Sequence, residues 1–589
     1  MSYKKIRDPV YGYIEINENI VNEVIDTATF QRLRNVRQTS YASLYPAALH
    51  NRFIHSLGVY HLGKLASKAI YQSVLYHKDN SDKQLLQTLH NLFSEEEWKR
   101  YRELFELACL LHDVGHAPFS HTGEDFYSTS KSKVEMIISG KEREGKNSAD
   151  IADLEKYRCS RHLYQLTKDE IFLDPAKTAE PAPHEIMSAI IAISKFKTLF
   201  SDDSERSFLA RCITGLIYAE AHERDRADYI EMDADEHDDI KKKGLLNCFI
   251  RTLHSTVIDV DRLDYIIRDA ATMGYQSVSI DYDRLIHGMI IIPDDDEYNV
   301  TLGFHKSAIS VIENTVYAHD NQKKWIQGHP TILYEGYLVQ QSIIEIEEKL
   351  REDYQGAEST FFSYDSLTDN GSNFGDIKIR YLGDEDLLYL MKNVYACKCS
   401  EEYLNRGSRC LPIWKSEAEF NRLFGSKERE LIFLAMQTIM GGDTAKRGVV
   451  VNQNTFAAID TEITEAQENN QQNKVRNAQE KKLYFRALLE ICDSHGIEKN
   501  VVLLSTSFFK SNFSKEDVKQ LQILFPKIEG KPRRLHEIST MLSSNTLAWA
   551  NDGKFVFLYY CPTENRKRVN SKEFAENMVD RFKSIKPLM

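Results

Sequence analysis

Leu107-Ala108-Cys109-Leu110-Leu111-His112-Asp113-Val114-Gly115-His116-Ala117-Pro118-Phe119-Ser120-His121 is the stretch on which both fold and chemistry turn. Leu107, Leu110, Leu111 and Val114 recur at three- and four-residue steps, the mark of a buried helical face. His112 and Asp113 sit side by side in that face. An unpaired carboxylate in an apolar core is costly, so the pair requires a metal or a strong ion pair. His116 follows four residues after His112 and shares its face. Gly115 and Pro118 then break the helix, and His121 comes in the turn. A core helix whose His and Asp bond each other would account for a bare dipeptide. Three imidazoles and a carboxylate packed this closely, in a chain with 19 His among 589 residues, favour a metal site instead.

Such a site needs further ligands. The segment His50-Asn51-Arg52-Phe53-Ile54-His55-Ser56-Leu57-Gly58-Val59 places His55 at the opening of an apolar helix. Ile258-Asp259-Val260-Asp261-Arg262-Leu263-Asp264-Tyr265-Ile266-Ile267-Arg268-Asp269 reads as a mostly buried helix bearing four carboxylates. Asp261, Asp264 and Tyr265 lie three and four apart, close to one face. Some of these acids pair with Arg262 and Arg268, and at least one is left to bind metal. The set is then His55, His112, Asp113 and one acid of this helix. Mixed nitrogen and oxygen ligation suits a divalent Mn, Mg, Fe or Zn ion. An ion of that kind serves hydrolysis of phosphoesters and phosphoanhydrides. Nearby His116, His121 and His184 titrate near neutral pH and suit proton transfer.

The rest of the chain sets bounds. Its length exceeds a single hydrophobic core, so several domains are expected. A net charge of −13 argues against a protein built to coat nucleic acid. The nine Cys show no zinc-type spacing, and no signal peptide is read; they are expected as reduced thiols of a cytoplasmic protein. No apolar run is long enough to cross a membrane. The pattern predicts a mainly α fold with a smaller α+β C-terminal region. A helical core over 1–126 resumes at 184–355 after an insertion at 127–183. A helical subdomain follows at 356–463, then a polar linker or exposed helix at 464–482, and an α+β domain at 483–589. Arg32, Arg34 and Arg37 form either a solvated face or an anion site.

In order and spacing these motifs resemble the HD-domain superfamily, and within it the deoxynucleoside triphosphate triphosphohydrolases, which include the SAM-and-HD-domain dNTPase and bacterial dNTPases. The segments from Ile6 to Gly12, Asp26 to Gln38, His50 to Val59, Leu111 to His121 and Asp259 to Asp269 carry the likeness. The resemblance implies an HD helical core and metal-dependent hydrolysis of a dNTP to deoxynucleoside and triphosphate. It implies His55, His112, Asp113 and Asp261 as metal ligands, the choice of Asp261 over Asp264 coming from the resemblance alone. His116, His121, Glu124 and His184 match the catalytic group, with Glu124 standing where relatives often have Asp. Arg52 and Arg262 match phosphate-binding positions, the latter a Lys in relatives, and Gln38, Tyr265 and Asp269 match sugar-facing ones.

The family's phosphate-clamping Arg and His fall on Trp325 and His329, with Lys324 beside them as a substitute; Trp325 is expected as a core residue. Asp26, Gln31 and Arg34 match an allosteric nucleotide site completed by a neighbouring subunit, or else a structural network at such a contact. Either implies a homo-oligomer. The competing functions are a phosphodiesterase or nuclease acting on single-stranded or cyclic nucleotides, and a nucleotide-binding regulator without turnover.

Overall fold

The computed structural model describes residues 2–75, 88–124, 159–178, 180–219, 234–255, 258–275, 279–293, 300–353, 363–374, 377–441, 448–497, 501–505, 511–525, 532–542, 555–562 and 568–585. The chain is mainly α and divides into two compact units. The first comprises 1–320, 346–390 and 511–548, and the second 321–345, 391–510 and 549–589. These bounds cross those drawn from the sequence.

The first unit opens with a hairpin, β1 (Tyr3–Asp8) against β2 (Gly12–Asn17). Asp8 shapes its turn by accepting from the backbone N–H of Val10 and Tyr11, and Gly12 takes the left-handed conformation at φ +79°. Short turns follow, a π-turn at Val21–Ile25 and a 3₁₀ turn at Arg32–Asn35.

Six helices then build the core of this unit. They are α1 (Arg52–Leu75), α2 (Glu95–Leu111), α3 (Pro183–Lys195), α4 (Asp203–Thr214), α5 (Ala234–Leu253) and α6 (Val260–Met273). α2 starts at a capping box in which Ser94 and Glu97 bond each other's backbone. Leu107, Leu110, Leu111 and Val114 are all buried, as their spacing predicts. The α1–α2 contact is tight, since a Cβ at Gly63 would stand 2.4 Å from Cys109 Sγ. β3 (Met289–Pro293) and β4 (Val300–His305) form a hairpin, and β10 (Gln522–Leu524) adds to β4 in parallel. That pairing draws the 511–548 segment into the first unit.

The predicted insertion at 127–183 lies mostly outside the described residues. Its described end is held to the core: Leu163 and Phe172 are buried, and Asp169 takes a two-pronged ion pair from Arg211 on α4.

The second unit has a four-stranded sheet in the order β7-β12-β9-β8, namely Leu411–Pro412, Val556–Tyr560, Val501–Ser505 and Val449–Val451. Helices Ser426–Met440, Gln453–Glu468, Gln472–Ser494 and Ser571–Lys583 accompany it, with Trp414, Phe420, Met436, Leu488, Phe557 and Phe574 in its core. The polar stretch at 464–482 is the helical turn-around of this unit, tied by Lys481–Glu462 and Lys482–Asp460 ion pairs. The expectation of nine free thiols is corrected: Cys410 and Cys561 form a disulfide. The antiparallel register that sets Tyr560 opposite Leu411 brings the two cysteines together at the ends of β7 and β12. No described helix is long and apolar enough to cross a membrane.

Candidate metal centre

Three helices deliver the donors. His55 lies in the first turn of α1, His112 caps the end of α2, and Asp261 lies in the first turn of α6. His55 Nδ1 is 2.7 Å from Asp264 Oδ2, which turns its Nε2 toward the other helices. His112 Nδ1 is 2.9 Å from the carbonyl of Cys109, with the same effect. His55 Nε2 stands 2.9 Å from Asp261 Oδ1 and 3.5 Å from Asp113 Oδ2. His112 Nε2 stands 3.5 Å from Asp261 Oδ1 and 3.4 Å from Asp113 Oδ1. Donor atoms of His55, His112 and Asp261 all lie within 4.8 Å of one another, and the Asp113 carboxylate lies 3.5 and 3.4 Å from the two Nε2 atoms.

The electrostatics fit a cation. Both Nε2 atoms are buried without a hydrogen-bond partner. Burial opposes the charge of Asp113, but Arg52, His112 and His116 hold its carboxyl well below the usual range. Burial likewise opposes Asp261, which His112 and His55 keep ionised. Burial would lower the His55 pKa, yet Asp261 and Asp264 lift it to about 10. Two freed imidazole nitrogens and two carboxylates make a donor set that fits a divalent ion.

A second group lies beside the first. Glu124 Oε1 is 2.6 Å from His121 Nδ1, 3.0 Å from His184 Nδ1 and 3.4 Å from His116 Nδ1. The other nitrogen of His116, Nε2, is 3.2 Å from Asp113 Oδ1. Burial, then Arg52 and His184, hold His116 neutral. Burial opposes charge on His184, but Glu124 raises it to about 9.

The turn carrying these groups is held from outside. Buried Arg32 donates to the carbonyls of Val114 and His116 at 2.9 and 2.8 Å, so it is a structural clip rather than a solvated or anion-binding residue. Phe119 and Ser120 take positive φ, and Asp384 accepts from the Phe119 N–H at 2.7 Å.

Arg262 presents buried Nε and Nη1 atoms without partners, next in sequence to Asp261. Tyr265 is packed close to it, and its hydroxyl is raised by burial. Arg52 is engaged, with Nη1 2.7 Å from Asp113 Oδ2 and Nε 3.0 Å from Ser120 Oγ. Gln38 is buried, its Oε1 unpartnered. Asp269 is buried against His50 at 2.7 Å instead of facing an open site.

Lys324 and His329 belong to the second unit, where they line a cavity of about 270 Å³ with Trp325, Lys415 and Phe555. Trp325 is 55% exposed, which corrects its reading as a core residue; it sits in the π-turn Gln322–Gln327, which has lost the regular helical register. Asp26, Gln31 and Arg34 are surface neighbours: Arg34 donates to Gln31 and lies 3.6 Å over the Phe53 ring, and Asp26 faces Lys4.

Residues 52–185, which bracket His55, His112, Asp113, His116, His121, Glu124 and His184, match the HD domain family. This chain carries an HD domain. HD-domain phosphohydrolases depend on divalent metal, in keeping with the donor set. The uncharacterized protein YwfO of Bacillus subtilis is 33% identical over 127 residues, 21% of this chain and 24% of that one. A deoxynucleoside triphosphate triphosphohydrolase SAMHD1 homolog of Dictyostelium discoideum is 35% identical over 126 residues, 21% of each chain. The matched region therefore spans less than a quarter of the length of these curated relatives. The crystal structure of a hypothetical protein from Aquifex aeolicus aligns over 98% of this chain and 100% of its own, with TM-score 0.47 and 17% identity.

Asp264 was the residue least visible beforehand. Its spacing to Arg268 signals an ion pair, and only the position of α1 reveals that it also fixes His55.

Proposed function

We propose that the HD domain hydrolyses a deoxynucleoside triphosphate to deoxynucleoside and triphosphate. The observation that carries this reading is the adjacency, on one helix, of Asp261, which faces the Nε2 atoms of His55 and His112, and an Arg262 whose buried Nε and Nη1 lack partners. Cation and fork together match a phosphate chain. The names of the SAMHD1 relatives support dNTP as the substrate class.

A divalent ion bound by His55, His112, Asp113 and Asp261 would lower the pKa of water and neutralise phosphate oxygens. Arg262 binds phosphate oxygens, and Arg52 joins it by exchanging Asp113 or Ser120 for substrate. Tyr265 lies against the sugar, and Gln38 supplies an acceptor there. Water adds at the α-phosphorus and the bond to the 5′-oxygen breaks. The departing 5′-oxygen needs a proton. His184, protonated at neutral pH, is its source within the His184–Glu124–His116 group, and neutral His116 passes it from Nε2. Asp26, Gln31 and Arg34 provide a surface for an activating nucleotide in a homo-oligomer.

Incubating the purified chain with each dNTP, singly and in pairs, with Mn²⁺ or Mg²⁺ tests the reading. Tripolyphosphate and deoxynucleoside are expected. Pyrophosphate, single phosphate, or cleavage of a labelled oligonucleotide without tripolyphosphate would reject it.

A further inference from the structure

Within the first unit, the segment from Leu382 to Asp384 grips the turn after Asp113 at both ends. Asp384 Oδ1 accepts from the Phe119 N–H at 2.7 Å, and its Oδ2 accepts from the Arg37 N–H at 3.1 Å. The Leu382 carbonyl accepts from Arg32 Nη1 at 2.9 Å, and the Nη2 of the same guanidinium donates to the carbonyls of Val114 and His116. The far end of the turn needs such a hold. Phe119 and Ser120 stand at φ 58° and 52°, in the left-handed region that side chains disfavour. Asp384 is buried, and burial lifts its carboxyl to about 6 against the pull of the Phe119 and Arg37 amides and of the Arg37 and Arg32 charges. A buried acid is kept only where it is bonded, and here its partners are backbone amides of the turn and of the strand-like stretch beside it.

From this carboxylate a chain of contacts runs to Asp113. The Arg37 carbonyl accepts from Ser120 Oγ. Ser120 Oγ accepts in turn from Arg52 Nε at 3.0 Å, and Arg52 Nη1 donates to Asp113 Oδ2 at 2.7 Å. Asp384 therefore fixes both residues that place Ser120: Phe119, its neighbour in sequence, and Arg37, its acceptor.

We propose that Asp384 is a positioning residue: by binding the Phe119 and Arg37 amides together it sets Ser120, and through Ser120 the Arg52 guanidinium beside Asp113. Asn in its place accepts from one amide only and turns its own N–H groups toward the other. The turn then relaxes from its left-handed conformation, and Arg52 loses its fixed place. The consequence for turnover rests on the proposed hydrolysis, in which Arg52 meets phosphate; the hold on the turn does not.

Two measurements on the full chain test it, with Asp386→Asn as the control. Asp386 lies on the same short helix, Asp384–Tyr389, and accepts from the Gly383 N–H at 2.8 Å, so its loss removes a cap without reaching the turn. Hydrogen–deuterium exchange of peptides spanning 111–124 should quicken in Asp384→Asn and stay unchanged in Asp386→Asn. With dNTP and Mn²⁺, Asp384→Asn should lower kcat/KM about 10–100-fold, the cost of a small misplacement at the chemistry, while Asp386→Asn matches the unaltered chain. Asp384→Glu, which keeps both acceptor oxygens on a longer arm, should fall between the two, and it serves the same test if Asp384→Asn does not fold. Unchanged exchange in Asp384→Asn overturns the proposal. So does unchanged kcat/KM in a chain that turns over dNTP, or an Asp386→Asn that loses as much as Asp384→Asn. Faster exchange in a chain that hydrolyses no dNTP upholds the hold on the turn and rejects only the proposed function.

Discussion

Asp264 Oδ2 holds His55 Nδ1 at 2.7 Å, and both side chains are completely buried. Asp264 is itself gripped by Arg268, whose Nε and Nη2 stand 2.8 and 2.9 Å from its two oxygens. Arg268 in turn reaches Asp8 of the first hairpin at 2.9 Å. The orientation of His55 is thus fixed through two buried charges to the first hairpin. Asp264→Asn keeps the shape and removes the charge. It should weaken metal binding about 10–100-fold, the usual effect of losing a group behind a ligand. Competition with a chromophoric chelator measures it, and unchanged affinity would show that α1 alone sets the ring.

Gly115 is needed because α3 crosses the turn after Asp113. A Cβ there would stand 2.3 Å from the Ser188 nitrogen and 2.6 Å from the Met187 carbonyl carbon, both backbone atoms. Gly115→Ala must push the turn away from α3 and break the bond from Gly115 N–H to Ser188 Oγ. The expected cost is about 1–3 kcal/mol in chemical unfolding, with loss of bound metal before global unfolding.

Under the proposed function Arg262 binds substrate and not metal. Arg262→Ala should then lower kcat/KM by about 10–150-fold, the worth of a charge-assisted contact, while leaving metal stoichiometry at the His55–Asp261 centre unchanged. Arg262→Lys should recover part of the loss, because it restores the charge without the fork.

Asp169 makes acid stability measurable away from the metal. Burial would raise its pKa, but the Arg211 fork and the Ser207 hydroxyl hold it below the ordinary value. Its contribution to stability is complete above the unfolded carboxylate's pKa of about 3.9, and is lost as the pH falls through the lower folded value. Urea unfolding should therefore show stability dropping below about pH 4 in the unaltered chain. Asp169→Asn should start about 3 kcal/mol lower, with Arg211 left uncompensated, and fall less steeply.

Local spacing made much of this legible. The Leu107–Val114 periodicity, the break at Gly115 and the acids on the Asp261 helix could be read as written, because each depends on residues within a turn or two. The roles of individual charges could not. Arg32 looked like a surface or anion-binding residue, and only the return of the chain at Val114 and His116 makes it a clip. Asp261 and Asp264 are equivalent by spacing, and the placement of α1 decides that Asp261 meets His55 Nε2 and Asp264 its Nδ1. Cys410 and Cys561 are 151 residues apart and meet through strand register. The return of 511–548 to the first unit goes with the parallel pairing of β10 with β4, residues more than 200 positions apart.

The most direct measurement is crystallographic: anomalous scattering from Mn²⁺ in crystals of the full chain, recorded with Mn²⁺ present. The account predicts a peak bonded to His55 Nε2, His112 Nε2 and carboxylate oxygens of Asp113 and Asp261, absent in Asp261→Ala. An ion bound elsewhere, or a peak that persists in Asp261→Ala with its position unchanged, would contradict it.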